Sequence, residues 1–508
     1  MIRGIYIIGL PGSHRKSISE YLKNWLDWKI IDLQEEVERK LHKTIIEVIQ
    51  ENKLKEFEEE QERLMLGNIF AGEIFISSDI IPKPEIIEKL KNNGIIPIYL
   101  SYSRQSLERE LEKSQEPHTI LRIHPYEDYE KEIELASELL IKVPTEGFSD
   151  KEIALMIVRS LKGEYDLIFS NNDKVYSGIN SFHYIEEILD YEGFINALFI
   201  TYKRHFLINF KWVFDVIKKS SFEPYVFFIP EKEEIKELEF VKKIWHEIIN
   251  LKIRKNTAIV GMGGGSCLDL VGFSASTFRR GFPFVSIPTT FISQIDASIG
   301  GRNSLHYIGN KNILGTIYYP RFILIDPVFI LSYDDTKFLY SLSDAVRYGL
   351  LFDESILDFL EREANKIKLK YLPTIDSLVR KCALHKLNVS YLDPYGWSQL
   401  RPLEFGNTIA YLIQETLHLD YQRALTKSIY LILKFLSSQN ILKDKKIFEK
   451  VIGIFDNYGL EYKLENGDIE KLYKKCNLDE IEIFGIETYK SPIPLRINKD
   501  DFFRSLES

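Results

Sequence analysis

Cysteine, methionine, tryptophan and histidine are scarce in this chain of 508 residues. Its three cysteines, Cys267, Cys382 and Cys476, lie far apart in the sequence and form no paired metal-binding motif. This spacing predicts small buried thiols in a reducing compartment. Only two of the ten histidines, His385 and His418, follow residue 325. The last third of the chain therefore lacks the pair of histidines, one helical turn apart, that often binds zinc.

The sequence also lacks long apolar runs and an excess of positive charge. No segment approaches the ~18 consecutive apolar residues of a membrane span, and the apolar N-terminus is too short for a signal peptide. The 66 basic and 75 acidic side chains leave a net charge of −9, so nucleic acid is not an expected partner. We therefore expect a cytoplasmic protein that binds neither nucleic acid nor membranes.

The composition that remains, 45% apolar and 28% charged, is that of a globular protein with room for about three domains. From Leu167 to Leu251, apolar strands that include Ala197–Thr201 and Tyr225–Ile229 alternate with helices near Phe210–Lys218 and Glu234–Leu251, which predicts a parallel, doubly wound sheet. From Asp326 onwards the apolar periodicity is helical. The predicted helices of this last part are Ile356–Ile367, Thr374–Val389, Thr408–Leu417 and Ala424–Leu436.

The most informative stretch runs from Ile259 to Gly301. A buried strand ends at a triple-glycine turn that opens a helix, and a second strand, Phe284–Ile287, is followed by two threonines. Glycines allow a ligand to approach the main chain, and the helix N-terminus after them favours an anion. Both strand ends would meet at the carboxyl edge of a parallel sheet, where such sheets bind ligands. The pattern indicates a pyrophosphate-binding turn; the alternative is a tight strand-to-helix turn without a ligand.

Several motifs in this region are similar to those of 3-dehydroquinate synthase. They are G-G-G-x-x-x-D-x-x-G-F, R-G, P-T-T, Q-x-D-A-S-x-G-G and G-x-K-N, in the family's order. The resemblance implies a homodimer that uses NAD and a divalent metal ion to cyclise a seven-carbon sugar phosphate in the shikimate pathway. It implies NAD contacts at Glu233, Lys236, Gly264, Gly265, Asp269, Thr289, Thr290, Lys311 and Asn312. It implies substrate-side or catalytic positions at Arg280, Asp296, Arg302, Arg347 and Lys386.

The metal-binding motifs of that family are altered in this sequence. The resemblance implies a glutamate ahead of K-Y-G, two histidines in H-T-x-x-H, and a third histidine before G-E. Here Asp344 takes the first position, Asn407 and Tyr411 take the next two, and the segment 420–423 has no histidine. A divalent metal is therefore expected from the family, whereas the ligands for it are missing and we predict no metal residues.

Residues 1–160 resemble shikimate kinase, and the order of the two halves resembles the bifunctional enzyme of aromatic amino acid biosynthesis. A phosphate loop that starts at Gly9 requires glycine at position 14, followed by lysine and a hydroxyl residue. His14, Arg15 and Lys16 occupy those positions. Other implied kinase positions have also changed, since Gln34 replaces an acid, Glu58 replaces an arginine and Glu116 replaces the lid arginine. ATP and Mg²⁺ are therefore doubtful ligands, and the domain is better interpreted as a partner surface or a stabilising appendage.

The fold class that we predict is α/β, with a P-loop kinase-like three-layer domain, then a doubly wound NAD-binding domain, then an all-helical domain. The predicted boundaries are 1–160, 166–325 and 326–508. The leading functional hypothesis is a diverged member that keeps NAD binding, has impaired catalysis and acts as a binding or regulatory subunit. One alternative is an active enzyme of altered chemistry that uses Asp344, Arg347, Lys386 and Arg302 without metal. Another is a conventional bifunctional enzyme with unusual site residues, and the last is a non-catalytic scaffold.

Overall fold

A computed structural model of the chain separates it into two compact units, Met1–Lys162 and Gly163–Ser508. The residues that it describes are 3–507 with the exception of 11, 68–70, 79, 104, 107–130, 132, 135, 162, 164, 170–172, 211–222 and 232–234. No described helix is both long enough and apolar enough to cross a membrane.

The first unit is built around a parallel sheet with the strand order β2-β3-β1-β4-β5. The central strand β1 (Gly4–Ile8) is buried throughout, which explains its run of apolar side chains. The other strands are β2 (Lys29–Asp32), β3 (Glu73–Ile76), β4 (Ile95–Ser101) and β5 (Ile141–Pro144). The described helices are α1 (Arg15–Leu26), α2 (Leu33–Leu41), α3 (Ile45–Gln50), α4 (Leu54–Leu66), α5 (Pro84–Asn92) and α6 (Asp150–Arg159).

The second unit begins with a larger sheet, in which the described strands have the order β6-β7-β14-β11-β10-β8-β9. All neighbouring strands are parallel except the edge pair β6 and β7. The strands of this region are β6 (Asp166–Phe169), β7 (Lys174–Ser177), β8 (Asn196–Tyr202), β9 (Glu223–Ile229), β10 (Thr257–Gly263), β11 (Phe284–Pro288), β12 (Arg302–Tyr307), β13 (Asn310–Ile317) and β14 (Ile323–Ile325). Its described α-helices are α7 (Ile185–Tyr191), α8 (Lys203–Asn209), α9 (Leu238–Asn250) and α10 (Gly265–Thr277).

Both faces of this sheet are covered, as a doubly wound fold requires. Along β10, Val260 belongs to one apolar cluster and Ile259 to another, because successive side chains point to opposite faces. The predicted strands and the helix near Glu234–Leu251 are present, with α9 starting at Leu238. The predicted helix Phe210–Lys218 lies, beyond Phe210, outside the described residues.

The remainder of the second unit is mainly helical and shares one apolar core. Its helices are α11 (Asp335–Leu351), α12 (Ser355–Arg362), α13 (Ala364–Lys368), α14 (Leu372–Leu392), α15 (Asn407–Leu417), α16 (Tyr421–Ser438), α17 (Lys446–Tyr458), α18 (Asn466–Lys475) and α19 (Lys499–Glu507). The prediction of an all-helical domain is wrong in one respect, because strands β15 (Glu480–Ile486) and β16 (Pro492–Asn498) form an antiparallel hairpin. Alternate residues of β15 are buried, which is the period of a strand with one face against a core.

Candidate functional site

The strand order of the second sheet creates a crevice at the carboxyl ends of β8 and β10. The chain passes from β8 to β9 on one side, and β10 then returns to the other side of β8. Such a switch point is where open α/β sheets bind ligands. Thr201, at the end of β8, is fully buried there, and its hydroxyl has no hydrogen-bond partner among the described residues.

The triple-glycine turn joins β10 to α10 at this crevice. Gly264 is the N-cap of α10, and the helix begins at Gly265. A Cβ atom on Gly264 would lie 3.2 Å from Thr290 Cγ2, and one on Gly265 would lie 3.2 Å from the Cβ of Ala297. The amide of Thr289 donates to the Gly263 carbonyl at 3.0 Å. Four of the residues predicted to contact NAD therefore line a single narrow turn: Gly264, Gly265, Thr289 and Thr290.

Three further residues predicted to contact NAD form a polar cluster around the buried ammonium of Lys236, with Asp269 one helical turn beyond Gly265. The Lys236 ammonium donates to Asp269 Oδ2 at 2.6 Å, to Asn312 Oδ1 at 2.5 Å and to Ser304 Oγ at 3.1 Å. Burial raises the pKa of Asp269, although Lys236 opposes that shift. Lys311, which is also predicted to contact NAD, is exposed and donates to Gln414 Oε1. Glu233 lies outside the described residues.

A second set of charges lies beside the turn. Asp296 belongs to a π-helical turn, Ser293–Ala297, and its Oδ1 lies 2.5 Å from Lys386 Nζ on α14. Its other oxygen, Oδ2, lies 3.5 Å from Arg347 Nη2 on α11. Burial alone would raise the pKa of Asp296, but Lys386 and Arg347 outweigh it and hold the pKa below its ordinary value. Asp296 is therefore a carboxylate held between two cations.

Arg347 is the centre of this charged network. Its side chain is 4% exposed, and Nη2 contacts Oδ1 of the fully buried Asp344 at 2.7 Å. Nη1 donates to the Leu403 carbonyl at 2.8 Å and to Asn407 Oδ1 at 2.9 Å. The Tyr421 hydroxyl donates to the same Asn407 oxygen at 2.6 Å. Burial raises the pKa of Asp344 to about 7, while Arg347 opposes the shift.

The two remaining predicted catalytic residues, Arg302 and Arg280, are exposed. The guanidinium of Arg302 packs against Gly396, where an added Cβ would overlap it, and its charge helps to lower the pKa of Asp296. Arg280 has φ +65 in a turn after α10. Among the residues that the structure describes, no hydrogen bond or ion pair joins Arg280 to the network of Asp296.

Sequence reasoning missed two polar groups close to Lys386. Asp173 is 2% exposed and accepts a hydrogen bond from the backbone of Gly300. Lys386 is close enough to lower the pKa of Asp173, and Asp173 Oδ1 has no hydrogen-bond partner among the described residues. Ser390, one turn after Lys386 on α14, lies against Gly300 and its hydroxyl also lacks a described partner. The i, i+4 spacing of Lys386 and Ser390 could have suggested the second. No sequence signal pointed to the first.

The residues present do not fit a divalent metal. The positions that match the family's ligands hold the carboxylate of Asp344, the amide of Asn407 and the phenol of Tyr411, with no histidine in 420–423. The carboxylate and the amide are both bonded to the guanidinium of Arg347. Among the described residues, no three His, Cys, Asp or Glu side chains could hold a metal ion together. NAD fits better, because the glycine turn is bare of side chains and the buried Thr201 hydroxyl beside it is unpartnered.

In the first unit, the loop after β1 is filled by its own side chains. A Cβ on Gly9 would overlap the Ser13 hydroxyl, which is buried and has no partner within the described part of the chain. Arg15 Nη1 donates to the carbonyls of Ser77 and Ser78 at 2.8 and 2.9 Å. Lys16 Nζ lies 2.6 Å from Glu35 and 3.0 Å from Asp32, and its bond to Glu35 is the main reason that its pKa rises to about 12. The implied lid position Glu116 lies outside the described residues.

The fold of about two thirds of the chain is similar to that of two solved synthases. It matches a structure of 2-deoxy-scyllo-inosose synthase, solved with carbaglucose-6-phosphate, NAD⁺ and Co²⁺, with a TM-score of 0.60 and 16% identity over 68% of this chain and 99% of the other. It also matches 2-epi-5-epi-valiolone synthase from Streptomyces hygroscopicus, solved with NAD⁺ and Zn²⁺, with a TM-score of 0.57 and 18% identity over 68% and 98% of the two chains.

Family models specify the class further. The model for the 3-dehydroquinate synthase N-terminal region matches residues 226–340, and the model for the C-terminal region matches residues 341–481. These two adjoining matches cover half of the sequence, and through them the chain belongs to the 3-dehydroquinate synthase family.

Curated relatives agree with this assignment. The 3-dehydroquinate synthase of Clostridium tetani is 28% identical over 339 residues, which are 64% of this chain and 91% of that protein. The bifunctional shikimate kinase/3-dehydroquinate synthase of Thermotoga maritima is 26% identical over 417 residues, which are 81% of this chain and 80% of that protein.

Proposed function

We propose that this protein is a 3-dehydroquinate synthase-type member of the shikimate pathway that binds NAD but has impaired or lost cyclisation activity. The observation that carries the proposal is the position of Arg347, whose guanidinium is bonded to Asp344 and Asn407 at positions where the family places metal ligands. In this proposal the protein is a homodimer that acts as a binding or regulatory subunit.

NAD would be held by the glycine turn and the cluster beside it. The start of α10 offers backbone N–H groups to a pyrophosphate, with Thr289 and Thr290 on the opposite strand end. Lys236, Asp269 and Asn312 would contact the rest of the nucleotide, and they are already ordered by mutual hydrogen bonds. Bound NAD would supply a hydride acceptor for an alcohol of the ligand. Asp296 and Lys386 would orient that ligand.

Cyclisation would be impaired because the described residues offer no group at the metal position that could act as a Lewis acid on the ligand. Nη1 and Nη2 of Arg347 are bonded to protein oxygens, and Nε is buried without a described partner, so the guanidinium does not present a donor to a substrate oxygen. A specific observation favours one alternative, an active enzyme of altered chemistry without metal. Lys386 still faces Asp296, and Arg302 is exposed beside them, so two cations remain for an anionic substrate.

For the first unit, we propose a retained kinase-like domain without shikimate kinase activity. The match over 81% of the chain to a bifunctional relative and the parallel sheet around β1 support a common origin. Phosphoryl transfer depends on cations positioned around the phosphates. Arg15 and Lys16 are instead engaged by carbonyl groups and carboxylates of the same unit.

Turnover of the seven-carbon sugar phosphate tests the proposal. The full chain, supplied with NAD⁺ and either Zn²⁺, Co²⁺ or EDTA, is assayed for phosphate release, with Asp296→Asn as the matched control. We expect no release above that of the control in any condition. Release that requires a metal would establish the conventional enzyme, and release in EDTA that is abolished by Asp296→Asn would establish the metal-free alternative. Light scattering of the purified chain tests the dimer.

A further inference from the structure

The guanidinium of Arg347 joins segments that are far apart in the sequence. Within α11 it contacts Asp344, and it also reaches Asp296 in the π-helical turn and the Leu403 carbonyl before α15. Through Asn407, the first residue of α15, it is linked to Tyr421, the first residue of α16. All of these contacts are made by oxygen atoms that converge on one positive charge.

These oxygen atoms come from the positions that match the family's metal motifs. Asp344 stands at the carboxylate position, Asn407 at the first histidine position, and Tyr421 within the segment that matches the third. Asp344 Oδ1 and Asn407 Oδ1, which a divalent cation in this ring would need as ligands, already accept hydrogen bonds from the guanidinium. A guanidinium that occupies the ring therefore excludes a metal ion from it, whereas the compact ammonium of the family's lysine at this position leaves these oxygen atoms free.

We infer that the side chain of Arg347 replaces the divalent metal of the family, as a covalently attached cation that ties α11, α15 and α16 to the turn with Asp296. This inference deepens the proposed loss of metal-dependent cyclisation and rests on it only through the family's motif positions. It does not depend on NAD binding. Arg347 is thus a positioning residue, and the altered ligand positions are adapted to bind a guanidinium.

If Arg347 replaces the metal ion, substitution of Arg347 and its partners should restore metal binding. The variant Asp344→Glu/Arg347→Lys/Asn407→His/Tyr421→His restores the glutamate and two of the histidines that the family motifs imply, all at positions around this ring, and replaces the guanidinium by the family's lysine. Full-length protein is stripped with EDTA, dialysed and titrated with Co²⁺, with the visible absorption of bound Co²⁺ as the readout. We expect no band in the unmodified chain, and in the variant a band that saturates at about one Co²⁺ per chain.

A second variant tests the same inference independently of that design. Arg347→Ala removes the cation and leaves its oxygen partners in place, so methylguanidinium at low millimolar concentration should raise its melting temperature. Arg380→Ala is the matched control, because Arg380 pairs with Asp376 and Asp166 away from this ring. Methylguanidinium should leave the control and the unmodified chain unchanged.

Three results would overturn the inference. The first is one Co²⁺ per chain in the unmodified protein, lost in Asp344→Ala. The second is a folded fourfold variant that binds no Co²⁺. The third is equal stabilisation of Arg347→Ala and Arg380→Ala by methylguanidinium. This result would overturn the inference even if the fourfold variant does not fold. NAD⁺ titration of the same samples is independent of all three, so a failure of the proposed function would be recognised separately.

Discussion

The ammonium of Lys236 lies 2.5 Å from Asn312 Oδ1 and 2.6 Å from Asp269 Oδ2, and so joins residues from three separate segments. Its side chain is 8% exposed, and that of Asp269 is 17% exposed. Removing one partner of a largely buried ion pair leaves the other charge uncompensated. The cluster should therefore matter both for the stability of the second unit and for the proposed NAD site.

Lys236→Met is expected to lower the free energy of unfolding of the second unit by about 3 kcal/mol. The physical reason is the uncompensated Asp269 carboxylate, so the double variant Lys236→Met/Asp269→Leu should recover part of the loss. Urea denaturation followed by tryptophan fluorescence measures both variants. An equal or larger loss in the double variant would show that the pair does not act through its charge.

Gly264→Ala is expected to weaken NAD⁺ binding by at least about tenfold while costing less than about 1 kcal/mol of stability. The backbone at Gly264 suits alanine, with φ −75 and ψ 178, but the new Cβ would lie 3.2 Å from Thr290 and narrow the turn. Gly453→Ala is the matched control. Gly453 is an exposed position in α17 with open space around it, so alanine there should be slightly stabilising and should leave NAD⁺ affinity unchanged. Equal NAD⁺ affinities for both variants would show that the glycine turn does not contact NAD⁺.

Asp173 should make stability depend on pH. Burial raises the pKa of Asp173 to about 6, whereas the ordinary value is 3.8. The folded state therefore keeps a proton that the unfolded chain loses, so stability falls as the pH rises from about 4 to about 6 and is level above that. Relative to Asp173→Asn, the chain should lose up to about 3 kcal/mol across this window. Parallel urea titrations from pH 4 to pH 7 measure the difference, and identical profiles would contradict the assignment.

Gly9→Ala is expected to destabilise the first unit by about 1–3 kcal/mol, because its Cβ would overlap the side chain of Ser13. Ser13→Gly removes the overlapping atoms, so the double variant should recover most of that loss. Thermal unfolding of the four proteins completes the cycle. If the two effects simply add, Ser13 does not fill the loop, and a stabilisation of the unmodified chain by Mg-ATP would show that the loop is open to phosphate.

The sequence was most informative where hydrophobic periodicity and glycine positions coincide. The buried strands β10 and β11 and the turn at Gly263–Gly265 were predictable, because a parallel strand is uniformly apolar and the helix after it requires a tight turn. The hairpin β15–β16 was missed, although Glu480–Ile486 alternates between exposed and buried positions in the manner of a strand. Within a region of long helical blocks, that short alternating signal was overlooked.

The sequence could predict which residues belong to the candidate site, but not most of the contacts between them. Helical spacing of three places Arg347 beside Asp344, so their ion pair could have been expected. The contacts of Arg347 with Asp296, Leu403 and Asn407 could not, because they depend on how separate helices pack. Arg280 illustrates the converse, since a family motif suggested a role for it, whereas no described hydrogen bond or ion pair joins it to the network of Asp296. Arg302 is exposed, but its charge helps to lower the pKa of Asp296.

A calorimetric titration of NAD⁺ into the EDTA-treated full chain tests the retained NAD site and the loss of the metal together. We expect about one NAD⁺ to bind per chain, with an affinity that added Zn²⁺ or Co²⁺ leaves unchanged and that Gly264→Ala weakens. Binding that appears only after a divalent ion is added, or no binding in any condition, would contradict this expectation.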